Sequence, residues 1–393
     1  MSAFGLYIHL PFCRTKCAYC DFAVVVGRDR RRADYVAALI REMRGWGHAL
    51  GRPAVPTIYF GGGTPSLLAP EQIAAILDVC REAFAVAADA EISLEANPST
   101  ADRASFRALR DAGVTRLSLG VQSFDDAELR FLGRQHCADD GRRAVEEARA
   151  AGFTNLSLDL IYGLPGQELA SWQRTLAAAA ALAPEHLSVY GLTIEPATEL
   201  GRQRRRGLLP PPDDDLAAAM YELSDEILGA SGYQRYEIAN FARPGFACQH
   251  NLRYWRNQPF LGVGMGAHSS TVVARFANHR RLNAYLAGMS TWEAPQFAAS
   301  CIPEAHGPIA WVETLPRETQ LAETVILGLR LTDGLDLDAF AARFGERAET
   351  RWAATLAELE AAGLATVTAG ALRLTPRGRL LADEVFTRFL LER

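Results

Sequence analysis

Lysine is almost missing from this 393-residue chain: Lys16 is the only one, and every other basic side chain among the 41 is arginine. With the abundance of alanine, this reads as coding bias from a GC-rich genome and carries no functional weight. A continuous apolar run of the roughly 20 residues that a membrane-spanning helix needs is also missing. So is a charged N-terminal stretch followed by an apolar segment and a small-residue cleavage site. The expected compartment is the cytoplasm, with a peripheral visit to a membrane left open. The formal charge is only −5, with acids and bases interspersed. This gives no bulk argument for nucleic acid or for an anionic membrane. Seven cysteines, an odd number in a large chain, do not suit a disulfide framework. Three of them cluster near the N-terminus; the others are Cys80, Cys137, Cys248 and Cys301.

What is present is an alternation. Short β-rich runs at Leu6–His9, Thr57–Phe60, Glu91–Ala96, Arg116–Val121, Asn155–Leu160 and His186–Leu192 are separated by helical patterns at Arg32–Arg44, Pro70–Phe84, Ala101–Ala112, Asp139–Ala151 and Leu169–Leu182. Gly113 and Gly152 mark helix ends. Strand–helix–strand repetition implies parallel strands with right-handed crossovers. Six units predict an α/β fold, a partial (β/α)6 TIM-like barrel over residues 1–200. Polar and glycine-rich residues fall at the C-terminal ends of the strands, where such folds carry function. Residues 201–310 read as a barrel extension. It opens on a basic run, Arg202–Arg206, expected as a solvated turn, and a helix over Leu216–Leu228. An irregular stretch, Tyr233–Ser270, follows. Residues 317–393 read as a mostly helical, winged-helix-like domain.

The densest chemistry is Cys13-Arg-Thr-Lys-Cys17-Ala-Tyr-Cys20, which leaves a strand through Tyr7-Ile-His-Leu-Pro-Phe. Three thiolates on one loop can hold three irons of a [4Fe–4S] cube and leave the fourth iron open. Clusters used only for electron transfer usually have four cysteine ligands. Structural zinc is the competing metal, but it needs four closed ligands. Gly61-Gly62-Gly63-Thr64-Pro65 follows the second strand and allows close backbone approach to a ligand, although on its own it is equally a tight turn. Glu95 and Asp159 are acceptors suited to hydroxyls or an ammonium; Gln122 offers both donor and acceptor, and Arg134 suits a carboxylate.

Together these strings resemble the radical S-adenosylmethionine (SAM) superfamily. Within it, Ser93-Leu-Glu95-Ala-Asn-Pro98, Gly120-Val-Gln122-Ser-Phe124, Leu132-Gly-Arg134-Gln-His136 and Asp159-Leu-Ile-Tyr-Gly-Leu-Pro165 are similar to one family. That family comprises oxygen-independent coproporphyrinogen III dehydrogenase and its relatives, the HemW-type heme chaperones. The resemblance implies a [4Fe–4S] cluster on Cys13, Cys17 and Cys20. It also implies SAM on the open iron, with Tyr7, Tyr19, Gly62, Gly63, Thr64, Glu95, Gln122, Arg134 and Asp159 at SAM-contacting positions.

Two features bear on the branch. The dehydrogenase carries a further cysteine two residues after the third ligand, where this chain has Phe22. Cys248-Gln-His250-Asn251-Leu-Arg-Tyr254-Trp255 matches the HNxxYW motif associated with heme in the chaperones. His is a common axial ligand to heme iron, and Tyr and Trp offer flat faces to a porphyrin. The bland alternative is a packed aromatic turn with a satisfied histidine. His268 is a second candidate ligand. The resemblance implies a heme carrier serving an acceptor protein, respiratory or membrane-associated. The alternative is radical oxidative decarboxylation of coproporphyrinogen III.

Overall fold

The computed structural model describes residues 3–100, 102–271, 273–293 and 303–390. Cys301, and Ala101 at the head of one expected helix, lie outside these residues. All six expected strands form: β1 (Gly5–Leu10), β2 (Ala54–Gly62), β3 (Ala85–Ala96), β4 (Arg116–Gln122), β5 (Leu156–Tyr162) and β6 (His186–Gly191). They pair in parallel and in chain order, from Gly5 opposite Thr57 to Asp159 opposite Ser188. Their central residues, including Ile8, Ile58, Leu94, Leu119 and Leu158, are fully buried. Such strands are covered on both faces, as parallel sheets are. The connecting helices are α1 (Arg32–Ala49), α2 (Pro70–Ala83), α3 (Arg103–Ala112), α4 (Ala138–Ala150) and α5 (Leu169–Ala181). Local chemistry sets α3: the Asp102 side chain accepts from the Ser105 backbone N–H, and Gly113 closes the helix at φ 113°.

The sheet is larger than six strands. A seventh parallel strand, β7 (Phe260–Val263), pairs with the free side of β1. Short antiparallel strands extend both ends. His268–Ser270, Ala274–Asn278 and Ile309–Thr314 lie beyond β7, and Asn240–Ala242 and Gln234–Arg235 lie beyond β6. The result is an open, twelve-stranded mixed sheet among the described residues. One apolar core runs from Phe4 to Ile309, so the extension shares the barrel's core. Buried Glu42 on α1 ties that extension down: it accepts from the Gly264 N–H (2.8 Å), the Asn278 amide (2.6 Å) and the Tyr285 hydroxyl (2.7 Å).

Two readings need correction. Arg202–Arg206 is not a turn: Glu199–Arg205 is helical, and its arginines sit in the last turn, where the helix dipole favours positive charge. The Tyr233–Ser270 stretch is not irregular throughout, because Gln249–Trp255 is a helix.

The C-terminal segment has its own apolar core, from Leu321 to Phe389. Its order is Arg317–Gly328, strand Leu335–Asp336, helices Leu337–Phe344 and Ala353–Ala361, then the antiparallel pair Ala365–Thr368 and Ala371–Leu374. That is the helix–strand–helix–helix–wing order expected of a winged-helix-like module, and the sequence reading missed Leu335–Phe344.

Candidate functional site

Outside the C-terminal ends of β1–β6 lies a cavity of about 390 Å3. Cys13, Cys17 and Cys20 line it, with Gly62, Gly63, Thr64, Glu95, Gln122, Arg134, Asp159 and Tyr19. The three thiols therefore face one space. No group of three or more His, Cys, Asp or Glu side chains among the described residues converges on a point suited to a single metal ion. Three thiols on one chamber suit a cube taking one iron per thiolate, whereas structural zinc needs four closed ligands. Burial pushes the Cys13 and Cys20 thiols up, opposed by the Thr64 hydroxyl at Cys13 and by a Phe22 backbone hydrogen bond at Cys20. Thiols held this way are neutral until a metal draws off their protons.

The cysteine loop is pinned at several points. Ala18 N–H donates to the Leu132 carbonyl (3.2 Å), and Leu200 N–H donates to the Ala18 carbonyl (3.0 Å). Arg134 donates to Cys17 Sγ (3.4 Å) and to the Gly120 carbonyl (2.6 Å). Its Nε is buried without a partner. The glycine loop contributes by fit. A Cβ on Gly63 would stand 2.5 Å from the Pro11 carbonyl carbon, and one on Gly62 would stand 2.4 Å from the His9 ring. These glycines let β2 seat directly under the segment that delivers Cys13. Gln122 sits at φ 69°, a strained conformation for a residue other than glycine, where the pairing of β4 with β5 shifts register.

Two acids face each other across the floor. Glu95 accepts from the Tyr59 hydroxyl (3.0 Å) and the Gly62 N–H (3.2 Å); Asp159 accepts from the Ser118 hydroxyl (3.0 Å). Burial, and then the charge of Asp159, push the Glu95 carboxyl up to about 7. Burial raises Asp159 as well. Several lining residues escaped the sequence reading: Arg116, Ser118, Ser188 and Tyr190. Arg116 had a signal, a charged residue opening the run Arg-Leu-Ser-Leu; it is 2% exposed.

Tyr7 does not line this cavity. It bonds His9 Nδ1 (3.0 Å), stacks on Tyr59, and lines a second, adjoining cavity of about 780 Å3. Tyr19, Cys20 and Phe22 border both spaces. Phe22 is 68% exposed at their shared rim. The Gln249–Trp255 helix lies beneath. Asn251 reaches the first cavity and Tyr254 the second, while Trp255 packs under the Arg330 guanidinium of the C-terminal segment, 4.3 Å away. His250 is 1% exposed and lines neither. Its Nδ1 pairs with the Thr57 hydroxyl and its Nε2 with the Tyr254 hydroxyl, both at 2.9 Å. Burial, with Arg253 adding, lowers its pKa to about 3, so the ring is neutral. Cys248 is buried beside Glu91 (3.5 Å), with its thiol pushed up to about 12 by burial.

Comparison with known proteins gives concordant results. The profile of the radical SAM superfamily matches residues 7–179, and that of the HemN C-terminal domain matches 315–381. The chain is 41% identical to the heme chaperone HemW of Mycobacterium tuberculosis, over 98% of this chain and 95% of that one. It is 36% identical to the heme chaperone HemW of Bacillus subtilis, over 98% of each. Among solved structures, coproporphyrinogen III oxidase (HemN) from Escherichia coli, described as a radical SAM enzyme, superposes with a TM-score of 0.83 at 28% identity. That match covers 99% of this chain and 90% of that one.

Proposed function

Because the chain belongs to the heme chaperone HemW family of the radical SAM superfamily, we propose that it binds heme and hands it to an acceptor protein, carrying a [4Fe–4S] cluster and SAM beside the heme. Cys13, Cys17 and Cys20 hold the cluster in this reading. Thr64 and Arg134 brace two of those thiols from the side. Gly62, Gly63, Thr64, Glu95, Gln122, Arg134, Asp159 and Tyr19 form the SAM site. Tyr7 acts one shell away, by fixing His9 and the wall between the cavities. When bound and reduced, the cluster and SAM supply one-electron chemistry. The chain's own work is to exclude water with Tyr19 and Ile161, to hold the ligand ammonium near Glu95, and to brace the loop through Arg134.

The observation that carries the heme reading is the second cavity. Its volume lies in the range of roughly 300–1,000 Å3 usual for cofactor sites. It opens beside the cluster site and is walled by Tyr254 of the HNxxYW segment. Asn251, Tyr254 and Trp255 link it to the cluster cavity and to the C-terminal segment. Iron ligation by His250 requires both of its hydrogen bonds to open. We take residues 1–200 as the barrel, 201–310 as its extension, and 317–393 as a separate module. No helix among the described residues is long and apolar enough to cross a membrane. We place the protein in the cytoplasm, delivering heme to a respiratory or membrane-associated acceptor.

The close superposition on coproporphyrinogen III oxidase supports one rival, a decarboxylating enzyme. Anaerobic titration of the cluster-loaded full chain with heme separates the two. Saturable one-to-one binding with a shifted Soret band, and no protoporphyrinogen IX from coproporphyrinogen III with SAM and reductant, is expected. Product formation without heme binding would overturn the proposal.

A further inference from the structure

The second cavity holds a histidine that the HNxxYW motif does not contain. His268 opens the short strand His268–Ser270, is exposed to the cavity, and stacks edge-on to Trp311 at 5.8 Å. Neither of its ring nitrogens hydrogen-bonds to another described residue. His9, the other histidine on this cavity, has both nitrogens engaged: Nδ1 by the Tyr7 hydroxyl (3.0 Å) and Nε2 by the Ala23 carbonyl (2.9 Å). His250 is likewise engaged at both and lies outside the cavity. Burial, with Arg280 and Arg275 adding, lowers the His268 pKa, which keeps the ring in the neutral form that binds metals.

The surroundings suit an iron porphyrin. Tyr7, Tyr254, Phe260 and Phe22 present flat or apolar surface. Arg280 is exposed, without an ion-pair partner among the described residues; its one hydrogen bond goes to the Asp21 carbonyl (3.0 Å), which leaves donors for a carboxylate. Arg275 is committed to Glu313 and Glu323, both at 2.6 Å, and anchors the wall rather than the ligand.

Resting on the heme reading above, we propose that the second cavity is the heme site, with His268 as the iron ligand, Arg280 on a propionate, and the His250–Tyr254 pair as a wall that makes no bond to iron. The cavity shares Tyr19, Cys20 and Phe22 with the cluster site, so a porphyrin held there would border the cluster chamber.

The test is an anaerobic heme titration of the cluster-loaded full chain, read by absorbance and by electron paramagnetic resonance of the ferric form. Wild type, His268→Ala, His268→Gln, Arg280→Ala and His250→Ala are compared. Wild type shows a nitrogen-ligated spectrum. Both His268 variants lose that signature and bind at least tenfold more weakly, with unchanged iron and sulfide content. Arg280→Ala keeps the ligand signature and weakens binding severalfold. His250→Ala keeps the signature. Wild-type binding with the signature intact in both His268 variants, or lost in His250→Ala alone, overturns this assignment and leaves the heme reading standing. No saturable binding by wild type overturns both. His268 is exposed, so its replacement leaves the core intact, and the cluster absorbance of each variant reports folding independently.

Discussion

Replacing Glu95 by glutamine keeps the shape of the side chain and removes a charge whose ionisation the fold opposes. Burial, then Asp159, raise this carboxyl from 4.5 to about 7. Between those values the folded chain holds one more proton than the unfolded chain, so stability falls as pH rises from about 4.5 to about 7 and is flat above. The gap corresponds to about 3 kcal/mol, as an order of magnitude. Glu95→Gln lacks this slope. It also disturbs the Tyr59 and Gly62 hydrogen bonds, since the amide NH2 cannot accept from the second donor, whereas either carboxyl oxygen can, protonated or not. That adds a cost of about 1–3 kcal/mol that does not vary with pH. The variant is therefore less stable than wild type near pH 5 and recovers about 3 kcal/mol relative to it by pH 8. In melting temperature, this is a relative gain of about 5 °C for a unit of roughly 300 residues. Calorimetry of the cluster-free chain at pH 5, 6, 7 and 8 measures it. Parallel curves for the two proteins would refute the reasoning, because they would mean Glu95 ionises as freely in the fold as outside it.

Other outcomes follow from the geometry. Gly63→Ala places a methyl 2.5 Å from the Pro11 carbonyl carbon, which is backbone and cannot turn aside. It costs about 1–3 kcal/mol and displaces Cys13, so iron bound after reconstitution falls well below the wild-type value while the circular dichroism stays α/β. Trp255→Ala removes the Arg330 stack, worth about 0.5–2 kcal/mol. The C-terminal segment then becomes cleavable by protease near residue 315 at lower temperature, with the barrel's melting unchanged.

How much of this was legible in the sequence depended on how local the cause was. The six strands and their order were readable because each carries its own apolar run and each helix its own stop, as at Gly113. β7 was not: Phe-Leu-Gly-Val is four residues long, and only the free side of β1 makes it a strand. The same holds for Leu335–Asp336, which exists because Ala371–Leu374 is there to pair with it. The cysteine loop was legible because its spacing is chemistry in itself. Arg116 and Ser188 were not singled out, since one charged or hydroxyl side chain in a strand has no local mark of facing a cavity. The second cavity could not be read at all. Its walls come from Tyr7, the Cys20–Ala23 loop, Glu195, the 254–280 region and Glu323, which only the tertiary fold brings together. The HNxxYW motif was legible in the sequence but its helix was not, and its histidine points into packing, a fact set by Thr57 and Tyr254.

Lys16 is exposed on the cysteine loop and lines the first cavity. As the only side-chain amine in the chain, it turns the mouth of that cavity into a uniquely addressable position. An amine-reactive dye has one side-chain destination, Lys16, so a mutation-free preparation carries a reporter between Cys13 and Cys20. Filling of the chamber can then be followed as a change in the rate of acylation at one atom.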